Sequence, residues 1–143
     1  MKKILIAYGA LVIVVLLLAF FKFNGATFFS GLGVKSSVTV NNQKFDVEIA
    51  KDDNSRKIGL SGRKSLDQNK GMIFLFDKKG KYSFWMKDTI IPLDIIFING
   101  DKIVYIAKNA KPEKGNTGML PIYTPTADAD KVLEINGGLS DKY

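Results

Sequence analysis

The chain has 143 residues, enough for one small domain and a short appendage, and it contains neither cysteine nor histidine. These absences exclude imidazole catalysis, histidine-ligated metals, disulfides and thiolate sites. The 21 basic and 14 acidic residues give a net charge of +7, so carboxylates, lysine, arginine and hydroxyl groups are left to do any chemistry. We therefore expect no cofactor and no metal site.

An uncharged apolar run opens the chain and predicts a membrane anchor. Residues 4–21 are 18 consecutive uncharged positions, bounded by Lys2 and Lys3 on one side and Lys22 on the other. As a helix the run would be about 27 Å long, close to the hydrocarbon thickness of a bilayer. The two leading lysines favour a cytoplasmic N-terminus, with the remaining domain outside the cell membrane.

Two other interpretations of residues 1–21 remain open. A cleaved secretory signal also has an apolar region, but its small-residue cleavage site would here lie only at Gly31-Leu32-Gly33, well downstream. A buried core helix is the third interpretation. Residues 22–33 mix phenylalanine with glycine without a period, which predicts a linker whose phenylalanines lie at the lipid interface or pack on the domain.

Residues 34–143 have the pattern of an extracytoplasmic β domain. Apolar residues alternate with polar ones on both sides of Asn41-Asn42, and Asn99-Gly100 separates two further apolar runs, so both sites predict hairpins. Another hairpin is predicted between residues 72–76 and 82–86, and a late strand at 132–135. Runs such as residues 72–76 and 95–98 are apolar on both faces, which places them between layers.

Two short helices and one long loop complete the predicted elements. Asp52 or Asp53 is suited to cap a turn that ends at Gly59, and Thr126 to cap residues 127–131. Residues 108–125, rich in glycine and proline, predict a loop. The expected fold is mainly β: a small sandwich or barrel of hairpins with one or two short helices, preceded by one N-terminal transmembrane helix.

The centre of the chain resembles a known family. The residues that carry the resemblance are Gly59-Leu60-Ser61-Gly62-Arg63, Gly71 to Phe76, Phe84-Trp85-Met86-Lys87-Asp88-Thr89-Ile90-Ile91-Pro92-Leu93-Asp94, and Val132-Leu133-Glu134 with Gly137-Gly138. Together they are similar to domain-of-unknown-function family 192. The resemblance implies a compact, mostly β domain, often behind a signal peptide or anchor, and implies no reaction. Such domains usually continue beyond the Gly-Gly turn, which suggests either a dispensable last strand or a fragment with an open sheet edge.

The candidate site predicted from this motif is a groove formed by Arg63, Trp85, Thr89 and Asp94. Asp94 opens an apolar strand, so its carboxylate needs a partner, and arginine suits bidentate pairing with carboxylates. We expect Arg63 to meet Asp94, with the only tryptophan nearby as a surface on which a sugar, peptide or carboxylated molecule would stack.

Two other interpretations compete with the groove. In the structural one, Asp94 caps backbone N–H groups at a turn, Arg63 is a structural partner and Trp85 lies in the core. In the catalytic one, Asp94 and Glu134 form the acid/base pair of a hydrolase acting on envelope carbohydrate or peptide. Ser61-Gly62-Arg63-Lys64 and the pairs Asp52-Asp53 and Asp128-Asp130 are weaker signals for a serine nucleophile and for calcium, respectively.

The excess of basic over acidic residues bears on which kinds of partner the protein would bind. Lysines after residue 21 are scattered among acidic residues, which favours a solvated surface over attraction to lipid headgroups or an anionic wall polymer. Aromatic residues do not interleave with the basic ones, so we predict no nucleic-acid partner. The sequence thus predicts a membrane-anchored ligand-binding or structural module of the cell envelope, with the hydrolase as the alternative.

Overall fold

The structure is a computed structural model, and it describes residues 36–112 and 120–143. In this part of the chain, branched and aromatic residues form eight strands. These residues belong to one unit, Lys35–Tyr143. The elements are β1 (Ser36–Val40), β2 (Gln43–Ala50), α1 (Asp53–Ile58), β3 (Lys70–Gly80), β4 (Phe84–Trp85), β5 (Leu93–Asn99), β6 (Lys102–Ala110), β7 (Ile122–Tyr123) and β8 (Ala129–Asn136).

Six of these strands form one sheet in the order β1-β2-β3-β8-β5-β6, and β4 pairs with β7 in a two-stranded ribbon. Within the large sheet only β2 and β3 run parallel. A parallel pair needs a crossover, and residues 51–69, including α1, provide it. The last strand, β8, lies in the middle of the sheet between β3 and β5, so its side chains face both layers of the core.

The two hairpins predicted from asparagine turns are confirmed. Asn41 and Asn42 join β1 to β2 with φ angles of 45° and 67°, a conformation that asparagine tolerates better than most residues. Gly100, with φ 59°, begins the two-residue turn between β5 and β6, where Asn99 pairs with Lys102.

The hairpin predicted between residues 72–76 and 82–86 is wrong. Strand β3 continues to Gly80 and has β2 on one edge and β8 on the other, so neither edge is left for the following residues. The chain instead turns back at Tyr82, whose ring stacks on Phe76 with centroids 3.6 Å apart, and β4 pairs with β7.

One of the two predicted helices is confirmed. Asp52 caps α1, accepting the Ser55 N–H at 2.9 Å, and Gly59 ends the helix with φ 52°. The helix predicted after Thr126 is wrong, because residues 129–131 already belong to β8 and pair with β3 and β5.

Apolar side chains cover both faces of the large sheet, as the two-sided runs predicted. One cluster lies under α1 and the β4–β7 ribbon, and the other lies on the opposite face. Members of the first include Met72, Phe74, Ile95, Phe97 and Val132, and members of the second include Phe45, Ile73, Ile96, Leu133 and Ile135. A cleft of about 390 Å³ is lined by residues of both β1 and the β5–β6 hairpin.

Three predictions concern segments that the structure describes only in part or not at all. The anchor at 4–21 and the linker at 22–33 lie outside the described residues, and no helix within 36–112 and 120–143 is long and apolar enough to cross a membrane. The loop predicted at 108–125 is shorter than expected, since β6 extends to Ala110 and β7 begins at Ile122; residues 113–119 are outside the description.

Candidate functional site

Asp94 is fully buried and acts as a structural anchor for three backbone segments. Its Oδ1 accepts the N–H groups of Asn109 at 2.6 Å and Gly138 at 2.9 Å, and its Oδ2 accepts that of Ser140 at 2.7 Å. Burial opposes ionisation, but these donors outweigh it and hold the Asp94 pKa below its usual value. Asp94 therefore joins β5, β6 and the C-terminal turn, as the structural interpretation predicted.

The predicted contact between Arg63 and Asp94 is wrong. Arg63 forms a bidentate ion pair with Glu48 on β2, in which both N–O distances are 2.6 Å. Its hydrogen bonds lower the Glu48 pKa, against the opposing effect of burial. Both side chains are partly exposed, so this pair stabilises the fold only modestly. Asp94 had no need of arginine because backbone donors satisfy it.

A pocket of about 280 Å³ opens beside the exposed Trp85, and we call it the Trp85 pocket. β4 and the residues that flank it form one wall, and α1 with the turn after it forms another. Phe84 points inward and meets Phe74 and Phe97 edge to face, at 5.0 and 5.6 Å between centroids. Trp85, its neighbour on the strand, points the other way and remains 54% exposed.

Glu134 borders this pocket from its inner side. It lies on β8, opposite Met72 on β3 and Ile95 on β5, and only 5% of its surface is exposed. Within the described residues its carboxyl group has no hydrogen bond and no ion pair. Burial alone raises the pKa of Glu134 to about 8. The carboxyl group is therefore mostly protonated at neutral pH.

Positive charge surrounds the outer edge of the pocket. Arg56 is held in place by Asp53 at 2.7 Å and by the Leu75 carbonyl at 2.9 Å, and its guanidinium lies 5.3 Å from the centroid of an aromatic ring, that of Phe76. The Lys87 ammonium lies 5.9 Å from the centre of the Trp85 ring. Lys57 completes the group.

The hydroxyl groups near the opening of the Trp85 pocket form hydrogen bonds with nearby backbone. The Ser61 and Thr89 hydroxyls both donate to the Lys87 carbonyl, at 3.1 and 3.3 Å. These bonds tie the turn after α1 to the segment after β4, and they fix the pocket walls that these two segments form.

The structure thus brings together two of the four residues predicted for the groove. Trp85 and Thr89 line the pocket, whereas Arg63 and Asp94 do not. The sequence offers Glu134 only as a catalytic partner of Asp94, and this pairing is wrong. In the β5–β8 register Asp94 is opposite Ile135, so Asp94 and Glu134 point to opposite faces of the sheet.

The weaker motifs do not form the sites they suggested. Asp52 caps α1, and Asp130 accepts the Gly100 N–H at 3.2 Å while pairing with Lys131. In the described part of the chain, no three acidic side chains lie close enough together to hold a metal ion. The Ser61 hydroxyl is bonded to a backbone carbonyl, and Lys64 does not line the pocket.

Comparison with known families agrees with the central motif. The profile of DUF192, described as an uncharacterized ACR, matches residues 36–143. The chain belongs to the DUF192 family. No curated protein is significantly similar to this DUF192 chain.

Two solved structures resemble this DUF192 domain. A protein of unknown function from Novosphingobium aromaticivorans has 36% sequence identity and a TM-score of 0.66, over 74% of each chain. A candidate transcription regulator from Sinorhizobium meliloti has 31% identity and a TM-score of 0.64, over 74% of this chain and 81% of that one. Both similarities support the fold, and neither assigns a reaction to DUF192.

Proposed function

We propose that this DUF192 chain is a binding module whose Trp85 pocket takes a small organic molecule. The observation that carries the proposal is the Glu134 carboxyl group, which is 5% exposed, lacks a partner within the described residues and borders a 280 Å³ pocket. The carboxyl oxygens of Glu134 are thus left to hydrogen-bond to a molecule that enters the pocket.

The pocket chemistry favours binding over hydrolysis. Hydrolysis by a pair of carboxyl groups needs both of them on the substrate, roughly 5 to 9.5 Å apart. Among the described residues that line the pocket, Glu134 is the only acidic one, and Asp94 is turned to the other face with both oxygens occupied. The alternative of an Asp94-dependent hydrolase therefore has no geometric support.

The proposal includes a place for the module in the cell. Residues 4–21 would anchor it in the cell membrane with Lys2 and Lys3 in the cytoplasm, and residues 34–143 would face the envelope. Small molecules or anionic polymers of the envelope would then be its partners, and nucleic acid would not.

A fragment screen tests the binding proposal directly. Trp85 is the only tryptophan, so its emission in the detergent-solubilised full chain reports on the pocket without any label. We expect some polar aromatic and sugar-like fragments to shift this emission saturably. Ser61→Phe, which places a ring at the pocket wall, should abolish the shift.

Ser65→Phe is the matched control, because Ser65 is exposed and does not line the pocket. It should leave the fragment response unchanged, and circular dichroism should show that both variants are folded. If no fragment shifts the Trp85 emission, or if folded Ser61→Phe responds like the wild type, the Trp85 pocket is not a binding site.

A further inference from the structure

The Trp85 pocket differs in chemistry between its inner and outer ends, and this difference indicates a class of ligand, provided that the proposed binding function holds. A protonatable carboxyl group lies inside, an exposed indole lies at the opening, and three cationic side chains surround it. We propose that the pocket takes an acidic monosaccharide unit. Its ring would stack on Trp85, its anionic group would lie at Lys57 and Lys87, and a ring hydroxyl would hydrogen-bond to Glu134.

The outer cations are available to a ligand. Within the described residues neither Lys57 nor Lys87 forms an ion pair, whereas Arg56 is partly neutralised by Asp53. No carboxylate other than Glu134 lines the pocket in the described part of the chain. An anionic group at the opening would thus gain two charge-assisted contacts, and Lys87 would exchange its cation–π contact with Trp85 for one of them.

The opening also provides a flat surface. Trp85 is 54% exposed, with the Lys87 ammonium 5.9 Å from its ring centre. Indole faces suit the C–H faces of sugar rings, and the Lys87 ammonium would leave its place over the indole to pair with the acidic substituent. The pocket volume of about 280 Å³ is near the lower end of the usual range for ligand sites, which fits a single ring.

The inner carboxyl group matches a hydroxyl better than it matches a charge. A neutral carboxylic acid both donates and accepts a hydrogen bond, as a sugar hydroxyl does. Of the described residues lining the pocket, the other charged or titratable ones are Arg56 and Lys57 from α1 and Tyr82 and Lys87 from the segments flanking β4. The facing residues of β3 and β5, Phe74 and Ile95 among them, carry no charge. A cationic ligand would favour ionised Glu134, but it would have to pass three positive side chains.

Three sugars that share one ring test the assignment by titration of Trp85 emission in the full chain: galacturonate, galactose and galactosamine. We expect galacturonate to bind roughly tenfold more tightly than galactose, and galactosamine to bind most weakly. The double variant Lys57→Gln/Lys87→Gln should remove the preference for galacturonate. Lys44→Gln/Lys102→Gln, on exposed positions away from the pocket, should keep it.

The pH dependence of galacturonate affinity tests the role of Glu134, at the inner end of the pocket, separately from that of the lysines. Wild-type affinity for galacturonate should fall above pH 8 as Glu134 ionises, whereas Glu134→Gln, which keeps a donor and an acceptor, should bind with little change across that range.

Tightest binding of galactosamine, or an unchanged preference in Lys57→Gln/Lys87→Gln, would overturn the assignment. If none of the three sugars binds while other fragments still shift Trp85, the ligand class is wrong and the binding function stands; if nothing shifts Trp85, both fail.

Discussion

At the scale of single residues, two buried carboxyl groups have opposite roles. Asp94 is ionised because backbone N–H groups surround it, and Glu134 is held neutral because nothing polar within the described residues meets it. The sequence identifies Asp94 as an acid in an apolar strand and Glu134 only as its possible catalytic partner. It could not distinguish them, because the donors to Asp94 come from residues 15 to 46 positions away.

Asp94→Asn should destabilise the fold strongly. An amide group would turn donors toward backbone N–H groups and leave at least one of them unpaired, at a cost of about 3 kcal/mol. Urea denaturation of the full chain measures this loss. Asp77→Asn, at an exposed position, should change stability by less than about 0.5 kcal/mol. Equal effects of the two substitutions would contradict the anchoring role of Asp94.

Glu134 should make stability depend on pH in a direction opposite to that of Asp94. Its pKa rises from 4.5 to about 8 on folding, so between these values the native state keeps a proton that the unfolded chain has lost. Stability should therefore fall as pH rises from 5 to 8, by on the order of 4 kcal/mol. Glu134→Gln should abolish this slope in thermal melts, and Glu48→Gln, on the surface, should retain it.

At the scale of elements, local sequence patterns were sufficient to predict hairpins whose turn residues fix the pairing of the two adjacent strands. The hairpins at Asn41-Asn42 and at Asn99-Gly100 and the Asp52 cap use only neighbouring residues, and all three are confirmed, with the second turn formed by residues 100–101. The hairpin predicted after β3 and the helix predicted after Thr126 failed for one reason. β8 inserts between β3 and β5, and such a long-range pairing leaves no short-range signal.

Close packing of β3 against β8 offers a test at this scale. A Cβ atom on Gly71 would lie 2.6 Å from the Glu134 carbonyl oxygen, so Gly71→Ala must push these central strands apart. We expect a loss of about 2 kcal/mol in denaturation experiments. At Gly80 the nearest atoms belong to the Tyr82 ring and are 3.5 Å away, an ordinary van der Waals distance, so Gly80→Ala should have little effect. A tolerated Gly71→Ala would contradict the register of these strands.

At the scale of the whole molecule, the two-part organisation remains a prediction from sequence. If residues 4–21 span the bilayer, the full chain should stay in the membrane pellet after an alkaline carbonate wash. Leu16→Lys/Leu17→Lys should release it, since two charges within the apolar span are costly, and Lys22→Gln should not. A chain of reduced mass, starting beyond residue 21, would instead support a cleaved signal.

The candidate site was only partly predictable. The rarity of Trp85 and the motif around it indicated the region of the Trp85 pocket, and Thr89 follows from the same run. Arg56 and Lys87 were missed because their position at the opening depends on how α1 and the β4–β7 ribbon meet above the sheet. The sequence signal that could have indicated the inner end of the pocket was the single glutamate in the apolar run Val132-Leu133-Glu134-Ile135.

The central claim is that Glu134 is a buried acid, without a partner among the described residues, beside an open pocket. Carbon-13 NMR of side-chain carboxyl groups in the full chain tests it directly, with Glu134→Gln to assign the resonance. We predict that Glu134 titrates with a pKa of about 8. A value near 4.5, the ordinary value for glutamate, would contradict the account, because water or a partner would then already satisfy the carboxyl group.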